Sequence, residues 1–319
     1  MHIAIAYLSV VLLWATTPLA IKWSGEGPGF LFGVTGRMVI GIVCIGMVLL
    51  TTKQRLSWQH KARLTYMAAA LQIYGSMIVV YWAAQFIPSG WISVLFGLTP
   101  LITALLARFW LGQSELNFSK LLSYLLGVGG LAIMFGSALT LGRDAALGIA
   151  AVILGAFLHS FSAVWIKRID AGLPALTQVA GGLLIALPAY LLTWGVFDGE
   201  WPVHFTLPSI VSIVYLGVIA TTAGFALYYY LLTQLSATRV ALITLISPVL
   251  ALLLGHAANH EPITPNVLAG ALSIFSALFL HEHVGQRPPR GRTKARHAAV
   301  EAPNVGSRPR IKRPSRYRK

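Results

Sequence analysis

The sequence predicts an all-α polytopic membrane protein, with ten transmembrane helices arranged as two inverted five-helix repeats and both termini cytoplasmic. Three observations predict it. Hydrophobic residues make up 56% of the 319 and charged ones 10%, against about 25% charged in an ordinary soluble domain. Apolar windows close to the ~20 residues that cross a bilayer as a helix recur from residue 3 to residue 284. One phrase also occurs twice: LFGLTPLITALLARF at 95–109 and LITLISPVLALLLGHA at 242–257 each set a proline behind a small hydroxyl residue, and Pro100 and Pro248 lie 148 residues apart.

The windows follow in order. The first, at 3–21, has no Lys or Arg ahead of it and no small-residue cleavage pattern behind it, so it reads as a span and not as a cleaved leader. The second, at 30–52, contains Arg37 and the only cysteine, Cys44, which leaves no intrachain disulfide to form. The third and fourth, at 64–86 and 90–111, hold a polar and aromatic stripe and then the first proline phrase. The fifth, at 118–138, is rich in glycine. The sixth, at 146–166, carries His159, and the seventh covers 173–196. The eighth, at 207–232, ends in the run Tyr228, Tyr229 and Tyr230. The ninth, at 238–257, is the second proline phrase, and the tenth covers 265–283. Connections are short, which favours antiparallel neighbours and leaves no room for a soluble domain. The expected organisation is a first repeat at 1–138, a connecting loop at 139–145, a second repeat at 146–284 and a basic tail at 285–319.

Orientation follows from Lys and Arg in short loops, which resist translocation. Lys53, Arg55, Lys61, Arg63, Lys120, Lys167, Arg168 and Arg239 all fall on the side of the tail, while the other side has Lys22 and Arg143. The net charge of +15 is mostly a tail: half of the 24 Lys and Arg lie in residues 285–319, with one Glu and five prolines. Such a segment cannot bury a core and is expected to be disordered. It would attract anionic membrane lipid at about 1 kcal/mol per basic residue. Without interleaved aromatics or a fold it is not expected to bind nucleic acid.

Residues 81–109 align without gaps to 229–257, and LAIKW at 19–23 echoes VWIKR at 164–168. Two copies of an odd-span unit must face opposite ways, the plan of many secondary transporters, whose sites lie at broken helices near the midplane. Pro100 and Pro248 each free a helix carbonyl that should face protein or a water-filled cavity. Kinking alone would also account for a proline in a membrane helix.

The run YLGVIATTAGFALYYYLLTQLSATRVALITLISPVLALLLGHAANHEPIT and its counterpart around FIPSGWISVLFGLTPLITALLA resemble the EamA repeats of the drug/metabolite transporter superfamily. The likeness covers nearly all of residues 3–283. It implies ten helices in two inverted repeats, a central cavity lined by spans 1, 3, 4, 6, 8 and 9, and export or exchange of small metabolites, often amino acids. Arg37, in GVTGRMVIG, matches a position where the family commonly has arginine. Where the family has a Glu after the first proline, this chain has Gln113, with Glu115 two residues late; Glu261 is in place in the second half, behind His256, Asn259 and His260. These departures put a role for the helix-end carboxylates in doubt.

Ionisable groups inside spans are functional candidates by default. Arg37 can hold a helix carbonyl or a substrate carboxylate. His159, whose ordinary pKa of about 6.5 would let it take and release a proton, is the proton-coupling candidate, with an interhelical hydrogen bond as the plainer role. Trp14 occupies the equivalent place in span 1. Tyr74, Tyr81 and Gln85 share one face at helical spacing and should point inward. Tyr81 and its repeat mate Tyr229, together with Thr99, Thr103, Thr244 and Ser247 around the prolines, complete the expected substrate-binding set; the hydroxyls could instead bond their own helices. Arg108, Trp110, Trp194 and Trp201 read as interfacial anchors. His256 and His260, four apart beside Glu261, have a metal-like spacing but no third ligand and no HExxH glutamate, so no metal is expected. No cofactor motif is present, since no P-loop or GxGxxG follows a strand pattern.

The expectation is a secondary transporter, not an enzyme, that moves an amino acid or related metabolite by alternating access in a bacterial inner membrane. Its partners would be the small-molecule substrate and membrane lipid, and a homodimer is compatible with the sequence. Two alternatives stand beside it: a membrane-embedded lipid-modifying enzyme using His159 or the His256/His260/Glu261 cluster, which lacks a nucleophile and base at defined spacing, and an exporter of drug-like cations.

Overall fold

The structure, a computed structural model, describes residues 2–112, 118–241, 243 and 247–285. Its regular structure is helical, and no strand occurs among the described residues. Helices α1 (Ile3–Ser24) and α2 (Phe30–Thr52) are continuous. The next rod is composite: α3 (His60–Ala70) runs into a π-helical stretch, π1 (Leu71–Ser76), and on into α4 (Met77–Ala83). Then come α5 (Ser89–Phe96), α6 (Thr99–Leu111), α7 (Phe118–Leu141), α8 (Arg143–Ile169) and α9 (Ala175–Phe197). A second composite rod joins α10 (Leu207–Tyr215), π2 (Leu216–Gly224) and α11 (Phe225–Gln234). Helices α12 (Ala237–Ala241), α13 (Ser247–Asn259) and α14 (Pro265–Gly285) complete the described chain.

Seven helical stretches among the described residues are long and apolar enough to cross a membrane: Ile3–Ser24, Phe30–Thr52, His60–Ala83, Ser89–Leu111, Arg143–Ile169, Ala175–Phe197 and Leu207–Gln234. Helices α7 and α14 contribute shorter apolar stretches, Leu121–Met134 and Pro265–Ala277. Ten windows were expected. Of the ninth, the described residues are α12, Ile243 and α13, with Leu242 and residues 244–246 outside the described set.

Pro100 begins a helix and does not kink one from within. Helix α5 closes when the Gly97 N–H bonds back to Ser93 O at 3.1 Å and Val94 O at 2.9 Å. Helix α6 then starts on the Leu98 carbonyl, which accepts from the N–H groups of Leu101 at 3.0 Å and Ile102 at 3.1 Å. Pro100 sits in that first turn, where its missing N–H costs nothing and its fixed φ already suits a helix. Pro248 lies in α13, next to residues 244–246, which are outside the described set.

The chain is apolar on its outside. Leu12, Val43, Leu125, Leu192 and Phe197 are all more than half exposed, as befits faces turned to hydrocarbon, while Arg37, Gln72 and His159 are buried. The broken pair α5–α6 is the most enclosed apolar stretch, with 78% of its window buried against 39% for α2. Helix α1 packs on α13, α10, α11, π2 and α5; α8 packs on α6, α4, π1, α3 and α5; α2 and α9 pack on each other; and α7 pairs with α14. Close approach of α2 to π2 depends on two glycines. A Cβ on Gly41 would stand 2.5 Å from Thr221 Cγ2, and one on Gly217 would stand 2.6 Å from the Ile40 side chain.

Candidate functional site

A cavity lies among α1, α2, π1, α4, α5, α8, π2, α11 and α13. Its apolar walls come from Trp14, Pro18, Ile21, Met77, Val80, Ile92, Phe96, Ala220 and Phe225. Its polar groups are Thr17, Arg37, Gln72, Ser93, His159 and Ser247. Of the substrate-binding set expected from sequence, the structure brings Trp14, Arg37, His159 and Ser247 to this wall.

Arg37 is 2% exposed. Its Nε donates to Thr221 Oγ1 at 2.7 Å and its Nη1 to the Tyr81 hydroxyl at 3.4 Å. The guanidinium carbon lies 5.8 Å from the Phe225 ring centre and 6.0 Å from that of Tyr81. Among the described residues no acid neutralises it. Lys22 and Glu261 face each other elsewhere, at 4.0 Å. The α2–π2 glycine contact sets this geometry, because Thr221 and Gly217 belong to the same π-helical stretch.

His159 is 3% exposed and sits among rings: Trp14 at 5.5 Å, Tyr228 at 5.2 Å and Phe96 at 6.0 Å between centroids. Its Nδ1 has no hydrogen-bond partner. The interhelical bond expected as its plainer role is therefore not made at that nitrogen. Gln72 is fully buried; its Oε1 accepts from the Tyr229 hydroxyl at 3.0 Å while its Nε2 has no partner. Ser247 Oγ donates to Val11 O at 3.1 Å and Ile243 O at 3.2 Å, tying the start of α13 to α1.

The other expected residues stand elsewhere. Tyr74 shares a 2.6 Å hydroxyl contact with Thr193 on α9, outside the cavity wall. Gln85 is exposed and bonds Trp82 O at 3.2 Å. Tyr74, Tyr81 and Gln85 thus do not form one cavity-facing stripe. For Tyr74 and Tyr81 the physical reason is π1, since a π turn takes an extra residue and positions seven apart across it no longer share the face that a 3.6-residue period assigns them; Gln85 lies in the turn past the end of α4. Tyr81 and Tyr229 are buried behind the wall and act on it through Arg37 and Gln72. Thr99 and Thr103 are fully buried, with hydroxyls that have no partner, and do not line the cavity. Thr244 lies outside the described residues, as do Gln113, Glu115 and the tail from residue 286.

Sequence reading missed Gln72, Thr17, Ser93, Phe96 and Phe225. For Gln72 a signal existed, since an amide inside the apolar run MAAALQIYG is costly unless it is used. It also left Glu261 in doubt. This carboxylate is buried and holds the N-terminus of α5: it accepts from the N–H of Ser89 at 2.9 Å and of Gly90 at 3.2 Å, from Ser89 Oγ at 2.9 Å and from Asn259 Nδ2 at 3.0 Å. Negative charge at the positive end of a helix dipole is the favourable placement. His256 Nδ1 contacts the Glu261 carbonyl at 3.0 Å, so its ring supports this turn. Trp110, expected as an interfacial anchor, stacks on Phe161 at 4.6 Å with the Arg168 guanidinium 5.3 Å from its ring, and Trp194 and Trp201 gather around Phe32.

Comparison with known proteins points the same way. The uncharacterized transporter YoaV of Bacillus subtilis is 27% identical over 286 residues, covering 88% of this chain and 96% of that protein. PecM of Dickeya dadantii is 26% identical over 225 residues, 69% of this chain and 73% of that one. A probable amino-acid metabolite efflux pump of Salmonella typhimurium is 24% identical over 217 residues, 65% of this chain and 72% of the pump. A solved crystal structure superposes with a TM-score of 0.65 at 20% identity, covering 90% of this chain and 99% of the other, which shows a shared fold. Two matches to the EamA-like transporter family span residues 1–136 and 146–281, and the chain belongs to that family of membrane transporters.

Proposed function

We propose that this protein is a secondary transporter that moves a small carboxylate-bearing metabolite, an amino acid or a related compound, outward across the bacterial inner membrane by alternating access around the cavity. The observation that carries the reading is Arg37, a buried guanidinium on the cavity wall with no acidic partner among the described residues. A charge held in a low-dielectric interior without a counter-ion is expensive. A substrate carboxylate would relieve it each time one bound.

The architecture proposed with it is ten membrane helices in two inverted repeats, with cytoplasmic ends set by the loop Lys and Arg. Reciprocal packing supports the repeat: α1 against α13 mirrors α8 against α6, α1 against α11 mirrors α8 against α4, and α2 against π2 mirrors α9 against π1. The two π-helical stretches also fall in corresponding rods. The amino-acid metabolite efflux pumps among its relatives support the substrate class and the outward direction. The basic tail would rest on anionic lipid.

The test is flux of labelled amino acids, organic acids and cationic dyes in proteoliposomes, with and without a pH gradient, beside a His159→Ala variant. Saturable flux of carboxylate compounds establishes transport. If that flux follows the gradient and falls with the substitution, His159 couples it to protons. Absence of flux for every compound overturns the reading.

A further inference from the structure

We infer that the ligand of this cavity is an amphipathic monocarboxylate that carries no ammonium group, an apolar or aromatic organic anion in preference to the corresponding amino acid. The inference rests on the transport reading above and narrows it. The chain has nine Asp and Glu, and those among the described residues sit in loops or in the end turns of helices: Asp144 in the first turn of α8, Asp170 just past its end, Glu261 past the end of α13. None lines the cavity. An ammonium entering there would find a positive guanidinium, neutral acceptors at most on His159, Thr17 and Ser93, and no carboxylate among the described residues.

Beyond these neutral acceptors, what remains for a cation is weak. The rings of Trp14, Phe96 and Phe225 offer cation–π attraction, but they would share that role with Arg37, which already lies 5.8 Å from Phe225. Desolvating an ammonium without a paired anion costs more than such a contact returns. The polar groups left over favour an anion: Gln72 Nε2 is a buried amide donor without a partner on the same wall as Arg37. A guanidinium and a neutral N–H donor suit the two oxygens of one carboxylate. Trp14, Met77, Phe96 and Phe225 supply a wall for an apolar body.

Four ligands with one phenyl body and different heads decide it: 3-phenylpropionate, phenylalanine, phenethylammonium and 3-phenylpropanol, bound to the purified full-length protein at neutral pH by calorimetry. The expected order is 3-phenylpropionate tightest, at least tenfold (about 1.4 kcal/mol) above phenylalanine, with phenethylammonium weakest. Phenylpropionate should also exceed the uncharged alcohol, which tests the charge without touching the protein. In Arg37→Met, phenylpropionate should fall to the level of the alcohol. Phenylalanine binding as tightly as phenylpropionate, or phenethylammonium binding best, overturns the inference and leaves transport standing. An alcohol equal to the acid also overturns it. If none of the four binds, the inference falls with its apolar body, while proteoliposome flux judges the transport reading separately.

Discussion

Glu261→Gln should loosen the start of α5 and lower stability by about 2–4 kcal/mol. The carboxylate is 7% exposed and satisfies four donors: two backbone N–H groups, the Ser89 hydroxyl and the Asn259 amide. Glutamine keeps the shape but offers one oxygen and one NH2. With its oxygen at the Oε1 position, the NH2 faces the Gly90 N–H, 3.2 Å from the native oxygen; only the Ser89 hydroxyl can turn to accept. With the amide flipped, Ser89 N–H and Asn259 face the NH2 instead. Either way one or two buried donors lose an acceptor, at about 1–3 kcal/mol each. The favourable charge at the helix N-terminus, worth roughly 0.3–1 kcal/mol, goes too. Lys22 adds little, since its contact is 4.0 Å and its side chain is 25% exposed.

The assay is amide hydrogen exchange across residues 89–92 together with the unfolding midpoint in detergent. Exchange at Ser89 and Gly90 should rise by a larger factor than exchange in α9, which has no part in the contact. Unchanged protection and midpoint would refute the argument, because a neutral amide would then serve as well as the anion. Loss of stability without local exchange at α5 would refute the assignment of the effect to this helix end.

Arg37→Met should leave the unfolding midpoint unchanged or raise it, because relief from burying an unpaired charge offsets the roughly 1.5–3 kcal/mol hydrogen bond to Thr221; carboxylate flux should fall at least tenfold, and a midpoint that collapses would mark the arginine as structural. Gly41→Ala puts a Cβ 2.5 Å from Thr221 Cγ2 and should cost about 1–3 kcal/mol and weaken flux, whereas Gly46→Ala, with nothing within 4 Å, should be neutral; thermal unfolding of both compares them. Tyr229→Phe removes the donor to Gln72 Oε1 and should cost about 1–3 kcal/mol in the same measurement, with no loss if the amide finds another partner.

Hydropathy made the helical rods legible because a membrane span must be apolar along its length and is bounded by charge, Gly and Pro. The window expected at 30–52 is α2 to the residue, and the one at 90–111 is α5 and α6 joined. Arg37, His159, Trp14 and Ser247 were legible as inward-facing because a polar or bulky ring residue at mid-span is costly unless it faces an interior, and all four line the cavity. The π-helical stretches were not. An i→i+5 turn has no hydropathy signature, so Tyr74 and Tyr81 were given a common face that π1 removes, and Gln72, which π1 turns to the cavity, was passed over. The role of Glu261 was hidden for another reason: its partners Ser89 and Gly90 lie more than 170 residues away in the chain.

The cavity also shows what separates a repeat from a symmetric site. Gln72 and Ala220 are 148 residues apart, the spacing of the two prolines, and both line the wall; Met77 and Phe225 do the same. Trp14 and His159 are 145 apart, the spacing of LAIKW and VWIKR, and their rings meet at 5.5 Å. In each pair the backbone position is kept and the chemistry is not: amide against methyl, thioether against phenyl, indole against imidazole. Matched positions supply a wall that two similar halves can build. The unmatched side chains put an amide donor at one place and an imidazole at another, with a single guanidinium from α2. A ligand with a charged head and an apolar body then has one favourable orientation and not two equivalent ones. That follows from where the polar groups fall.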